Sequence, residues 1–68
     1  GGGRMFGQGE KFWEVDLQGA QHVTRFGKIG YPGQKRIKWF DTEEAAAADV
    51  ERLVREKTRA GFCEKSRV

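Results

Sequence analysis

Between Lys11 and Gln18 the chain alternates: Trp13, Val15 and Leu17 fall on one side of an extended backbone, and Phe12, Glu14, Asp16 and Gln18 on the other. A period of two over this length specifies a half-buried strand. Gly19-Ala20 ends it, and glycine at the first central position suits a type II′ hairpin turn because it accepts positive φ without steric cost. A second strand is expected from about residue 21 to 29. In Tyr31-Pro32-Gly33-Gln34 the proline presets φ and the glycine supplies positive φ, which is the signature of a type II turn. A third strand over residues 33–40 then carries Ile37 and Trp39 on one face and Arg36 and Lys38 on the other. Three strands joined by two tight turns make an antiparallel meander.

The period changes after Phe40. Asp41 can cap a helix, Glu44 three residues later can complete a capping box, and acids in the first turn complement the macrodipole. Ala46, Ala47, Val50, Leu53, Val54 and the stem of Lys57 recur at helical spacing and form one stripe. Gly61 is placed to end the helix in a left-handed cap, with Phe62 folding back on its last turn. The expected fold class is α+β, a small antiparallel meander packed on one face by a single C-terminal helix. Residues 1–10 hold five of the ten glycines and are expected to be a flexible leader, residues 11–63 the domain, and residues 64–68 a tail. Grouped by apolar character, Trp13, Val15, Leu17, Val23, Ile29, Ile37 and Trp39 are expected beneath the helix. The opposite face would then present Thr24, Phe26, Lys28, Arg36 and Lys38.

A chain of 68 residues has room for one core, and a deep substrate cleft would compete with it for the same apolar side chains. No catalytic residue, cofactor or enzyme activity is expected. One cysteine, Cys63, and one histidine, His22, supply neither an internal disulfide nor the usual four ligands of a structural zinc, so no metal is expected either. His22 reads as a solvated hairpin residue and Cys63 as a partly buried apolar group. Glu43 and Glu44 are adjacent on a helix, so they do not face each other as a catalytic pair would. No stretch approaches the roughly 20 apolar residues that cross a bilayer, and the opening Gly1 to Met5 lacks the apolar run of a signal peptide. The chain is expected to be an intracellular monomer.

Charge is distributed unevenly. Residues 17–40 carry Arg25, Lys28, Lys35, Arg36 and Lys38 without an acid, whereas residues 41–56 hold six acids against Arg52 and Arg55. A cationic meander backed by an acidic helix is the pattern of a surface that meets a polyanion. Phe26 beside Lys28, on a face without acids, is the pairing of aromatic and cation used against nucleic acid.

The run Val23-Thr24-Arg25-Phe26-Gly27-Lys28-Ile29-Gly30-Tyr31-Pro32-Gly33-Gln34 resembles the WGR domain, named for a Trp-Gly-Arg motif within a stretch of the form RWGRVGxxGQ. Lys11 to Val15 is similar to the family's opening strand, Asp41 to Ala47 to its helix entry, and Val50 to Phe62 to its closing helix. The resemblance covers about residues 11–62. It implies a non-catalytic DNA-binding module of the kind found in DNA-damage-responsive poly(ADP-ribose) polymerases and in bacterial proteins. Such a module would recognise DNA ends, nicks or backbone structure rather than sequence. In those polymerases the motif Trp packs on a sugar or base at a break and the motif Arg contacts DNA near the terminal phosphate. Phe26 takes the Trp position, Gly27 the Gly and Lys28 the Arg. Phe keeps a stacking face without the indole donor, and Lys keeps the charge without the bidentate fork.

The DNA-binding residues expected are therefore Arg25, Phe26, Gly27, Lys28, Lys35, Arg36 and Lys38, with the sugar-phosphate backbone or a terminus as partner. The location implied is the nucleoid-containing cytoplasm of a bacterium or the nucleus of a eukaryote. The alternative is a protein-interaction module that docks a neighbouring domain of a longer parent, using the acidic helix face of Glu43, Asp49, Glu51 and Glu56.

Overall fold

A computed structural model describes residues 3–65. It contains β1 (Gly3–Gln8), β2 (Lys11–Gln18), β3 (Gln21–Lys28), β4 (Gln34–Trp39), α1 (Glu43–Arg59) and β5 (Cys63–Lys65). The strands form one antiparallel sheet in the order β4-β3-β2-β1-β5. The α+β class and the single helix on one face are as expected, and the meander is longer by a strand at each end of the sequence.

Both additions correct the expected boundaries. Gly3–Gln8 is not a leader: it pairs with β2 along its whole length and places Phe6, 1% exposed, at the centre of the core. Its glycines obscured Phe6, whose register partner is Trp13, so that both face the core. Glu64 and Lys65 are not tail, because they pair with Phe6 and Met5 and, with Cys63 opposite Gly7, form β5. Arg4 secures this edge by donating two hydrogen bonds of 2.8 Å to the Glu64 carboxylate. Residues 1, 2 and 66–68, the ends of the expected leader and tail, lie outside the described residues.

The register of the β2–β3 hairpin decides which side chains the helix covers. Two residues separate Gln18 from Gln21, so Leu17 faces His22, Val15 faces Thr24, Trp13 faces Phe26 and Lys11 faces Lys28. Directly opposed residues share a face. His22, Thr24, Phe26 and Lys28 therefore lie with Trp13 on the helix side, and Val23, Arg25 and Gly27 lie on the open side. The same logic carries to β4, where Arg36 pairs with Thr24, Lys38 with His22 and Ile37 with Val23. The expected grouping of Val23, Ile37 and Trp39 beneath the helix is thus reversed. Ile37 is 53% and Trp39 73% exposed, and Ile29, beyond the end of β3, is exposed as well.

The core is Phe6, Trp13, Val15 and Val50, with Leu17, Phe26, Leu53, Val54 and Phe62 packed around it. Each fully buried side chain of this kind contributes about 1.5–3 kcal/mol. The helical stripe is as expected, with Ala46 and Val50 fully covered. The cap is one residue later than expected: Thr42 is extended and its Oγ1 accepts from the Ala45 N–H at 3.0 Å. That shift puts Ala45, not a glutamate, at the third helical position, so the capping box from Asp41 to Glu44 does not form. At the other end the Gly61 N–H donates to Thr58 O and the Phe62 N–H to Lys57 O. This pair of bonds needs a left-handed residue, and Gly61 has φ of 107°.

Candidate nucleic-acid interface

The helix packs chiefly on β2 and β3, and all of β4 is exposed beyond it. At the end of the hairpin where β2 begins and β3 ends, a cleft of about 720 Å³ opens beside the last turns of α1. Trp13, Phe26 and Phe62 give it an aromatic wall, and Lys11, Lys28 and Lys57 supply cations, with Glu10 the one acid among its lining residues. The Lys57 ammonium lies 5.7 Å from the centre of the Trp13 ring and 5.6 Å from that of Phe62. At these distances the ring faces favour the charge, so the ammonium is held above the aromatic wall. A second cleft of about 500 Å³ lies between α1 and β4 and shares Trp13, Phe26 and Lys57 with the first.

The motif residues are divided between the two faces of the sheet. Phe26 and Lys28 line the first cleft. Phe26 is half-buried, packed against the core, and not on a free face opposite the helix as expected. Arg36 sits over the Phe26 ring at 5.2 Å, and Lys38 stands 3.9 Å from Asp49, so both border the second cleft. Arg25 and Lys35 are on the open side, and a side chain at Gly27 would point there too, although the Gly27 backbone also lines the first cleft.

There Arg25 holds the loop after β3 in place. Its guanidinium lies 4.9 Å from the centre of the Phe12 ring, donates to Pro32 O at 2.7 Å and pairs with Glu14. Gly27 is covered by the same loop. A Cβ added to Gly27 would lie 2.8 Å from Gly33 Cα, and one added to Gly33 would lie 2.5 Å from Phe26 O. The close backbone approach that Gly27 permits is therefore made by the chain itself. Lys35 lies in a shallow open-side depression with Glu14 and Asp16.

His22 is not a solvated hairpin residue. It is 4% exposed, and its Nε2 lies 2.7 Å from Asp49 Oδ2. Burial opposes ionisation of Asp49, but hydrogen bonds from His22 and Arg52 and the nearby charges of Lys38 and Arg52 outweigh it. The carboxyl is held below the usual carboxylate range. Asp49 is thus turned toward the sheet, and Glu51 and Glu56 pair with Arg4 and Arg52. Much of the expected acidic docking face is internally compensated. Cys63 is exposed rather than partly buried.

Lys11, Lys57, Trp13 and Phe62, which line the first cleft, are not among the residues that the sequence suggests for DNA binding. The signal for Lys11 is the hairpin itself, since the two-residue turn that opposes Trp13 to Phe26 also opposes Lys11 to Lys28. Lys57 was visible as the last member of the helical stripe, but only as an aliphatic stem. Among the described residues no group of His, Cys, Asp and Glu side chains is arranged to hold a metal, and no helix is long and apolar enough to cross a membrane.

Comparison with known proteins gives three kinds of match. Residues 5–68 match the family model of the WGR domain. Two Escherichia coli proteins are similar: the uncharacterised protein YfeS, 33% identical over 54 residues, and YehF, 37% identical over 57 residues. These alignments cover 79% and 84% of this chain but 22% and 21% of the relatives. A crystal structure of a Bacteroides fragilis protein superposes with a TM-score of 0.89 at 32% identity, covering 94% of this chain and 19% of that one. The chain therefore spans about a fifth of the length of each protein it matches.

Proposed function

Because the chain belongs to the WGR domain family, we propose that it is a non-catalytic module that binds DNA through the cleft around Phe26 and Lys28, reading ends, nicks or backbone shape rather than sequence. The family suggests nucleic-acid binding, and the observation that carries the finer reading is the convergence of cations on an aromatic wall. Lys11 from β2, Lys28 from β3 and Lys57 from α1 meet Trp13, Phe26 and Phe62 in one cleft. Ammonium groups supply phosphate contacts that are indifferent to base identity, and the half-buried Phe26 ring that lines the cleft supports packing against a sugar or base. Lysine at the motif's third position acts as a point charge, so selectivity for a 5′-phosphate rests on charge rather than on a bidentate fork.

The test is binding to short nicked and blunt duplexes with 5′-phosphate or 5′-hydroxyl ends across a salt series. Three phosphate contacts give a log–log salt slope of about −2.7, at roughly −0.9 per contact. Lys28→Glu should weaken binding to all duplexes and flatten the slope by about 1. Lys35→Glu, on the open side, should do much less. Binding that ignores salt, or equal losses from the two variants, would remove the reading.

A further inference from the structure

The two clefts on the helix side share Trp13, Phe26 and Lys57, so they are parts of one groove. It runs from Lys28 at the end of β3 to His22 at the start, bounded by α1 on one side and β4 on the other. Six residue steps along β3 at about 3.3 Å each make it about 20 Å long. Six basic and two acidic side chains line its length, the acids being Glu10 and Asp49.

We propose that this groove holds an unpaired strand of nucleic acid, a single-stranded tail continuing from the duplex end or nick bound near Lys28. The inference rests on the DNA-binding reading above and extends it to a ligand class. Three observations support it. The second cleft, about 500 Å³, is the size of a small-ligand pocket, in the range of about 300–1,000 Å³, and admits unpaired nucleotides but not a duplex. Arg36 and Lys38 border it from β4, 59% of the Lys38 side chain being exposed, and both are available to successive phosphates.

The third observation is the aromatic lining common to both clefts, Trp13 and Phe26. Unpaired bases expose faces that stack on aromatic rings, and a duplex keeps those faces stacked on one another. A cationic groove with an aromatic lining therefore favours a single strand over a double one. At the 3.4 Å rise of a stacked strand, the groove length corresponds to about six nucleotides.

The experiment compares one duplex sequence in three forms, blunt, with a six-nucleotide 5′ tail and with a six-nucleotide 3′ tail, at fixed salt. The expected result is about a tenfold gain in affinity for one tail polarity over the blunt form, and loss of that gain in the Arg36→Glu/Lys38→Glu variant. Both positions are exposed on β4, and an unchanged thermal midpoint confirms that the variant is folded. Equal affinity for blunt and tailed forms overturns the groove while leaving duplex binding intact. A tail gain that survives in the folded double variant also overturns it, because the strand then lies elsewhere. Absence of binding to all three forms overturns both readings.

Discussion

The two sides of the sheet are built from the same strand and have opposite electrostatic character. On the helix side, His22, Thr24, Phe26 and Lys28 of β3 border a groove in which cations outnumber acids. On the open side, Val23, Arg25 and Gly27 of the same strand meet Glu14, Asp16 and Lys35, and charge is largely compensated within the fold. The motif run Arg25-Phe26-Gly27-Lys28 is thus two devices interleaved at a period of two. Its even members face the groove, and its odd members clamp the loop that follows. A short motif on a strand need not be a single contact surface, and alternate letters can be fixed by different requirements.

If the odd members are structural, altering one should cost stability before it costs binding. Gly27→Ala is the sharpest case, since the added methyl would meet the Gly33 backbone at 2.8 Å rather than a flexible side-chain end. Overpacking of this kind costs about 1–3 kcal/mol. The loss should appear as a lower urea midpoint, while affinity at saturating folded protein stays within about twofold of the parent. A stable Gly27→Ala protein that no longer binds DNA would show that the odd positions also contact the ligand, and the division between faces would fail.

A smaller effect tests the groove's far end. Asp49 has its carboxyl lowered in the folded state, so its contribution to stability is present above the unfolded value of 3.8 and is lost as pH falls through the lower folded value. The parent should therefore lose stability below about pH 4, and Asp49→Asn should remove that part of the acid slope. At pH 7 the variant should be less stable by about 1 kcal/mol, the loss of a charge-assisted bond with its partner left buried. Denaturant titrations at pH 7 and in steps from pH 5 to 3 measure both. An unchanged acid slope would mean that Asp49 is not the group linking α1 to His22.

How much of this was legible in the sequence depends on which rule was applied. Alternation in β2, the Gly19 turn, the helical stripe and the Gly61 stop were all readable, because each depends on local geometry. The face of β3 was readable too, but through register and not through composition. A two-residue turn after Gln18 forces Phe26 opposite Trp13, whereas sorting β3 by its apolar residues gives the reverse. One slip in phase exchanges the two faces of a strand, and here it exchanged the supposed interface with the supposed core. β1 was hidden by its glycines, and its place is set by pairing with β2 and β5 rather than by its own propensity. The His22–Asp49 pair joins positions 27 residues apart, and no local spacing announces it.

The smallest expected effect is at Trp39. It is the most exposed of the large apolar side chains, on the outer strand and the open side, with Gln21 as its register partner. Replacement by serine removes little buried area, so stability should change by no more than about 0.5 kcal/mol. If only the helix side meets DNA, affinity for blunt and tailed duplexes should also be unchanged. Fluorescence adds a second readout: Trp13 is 3% exposed at the wall of the cleft, so in Trp39→Ser it becomes the sole indole and reports DNA arrival without interference. A change in its emission on titration, at unchanged affinity, would place the ligand on the helix side. Loss of affinity in Trp39→Ser comparable to that of Lys28→Glu would place part of the interface on the open face. The contrast between the two sides would then describe the fold and not its function.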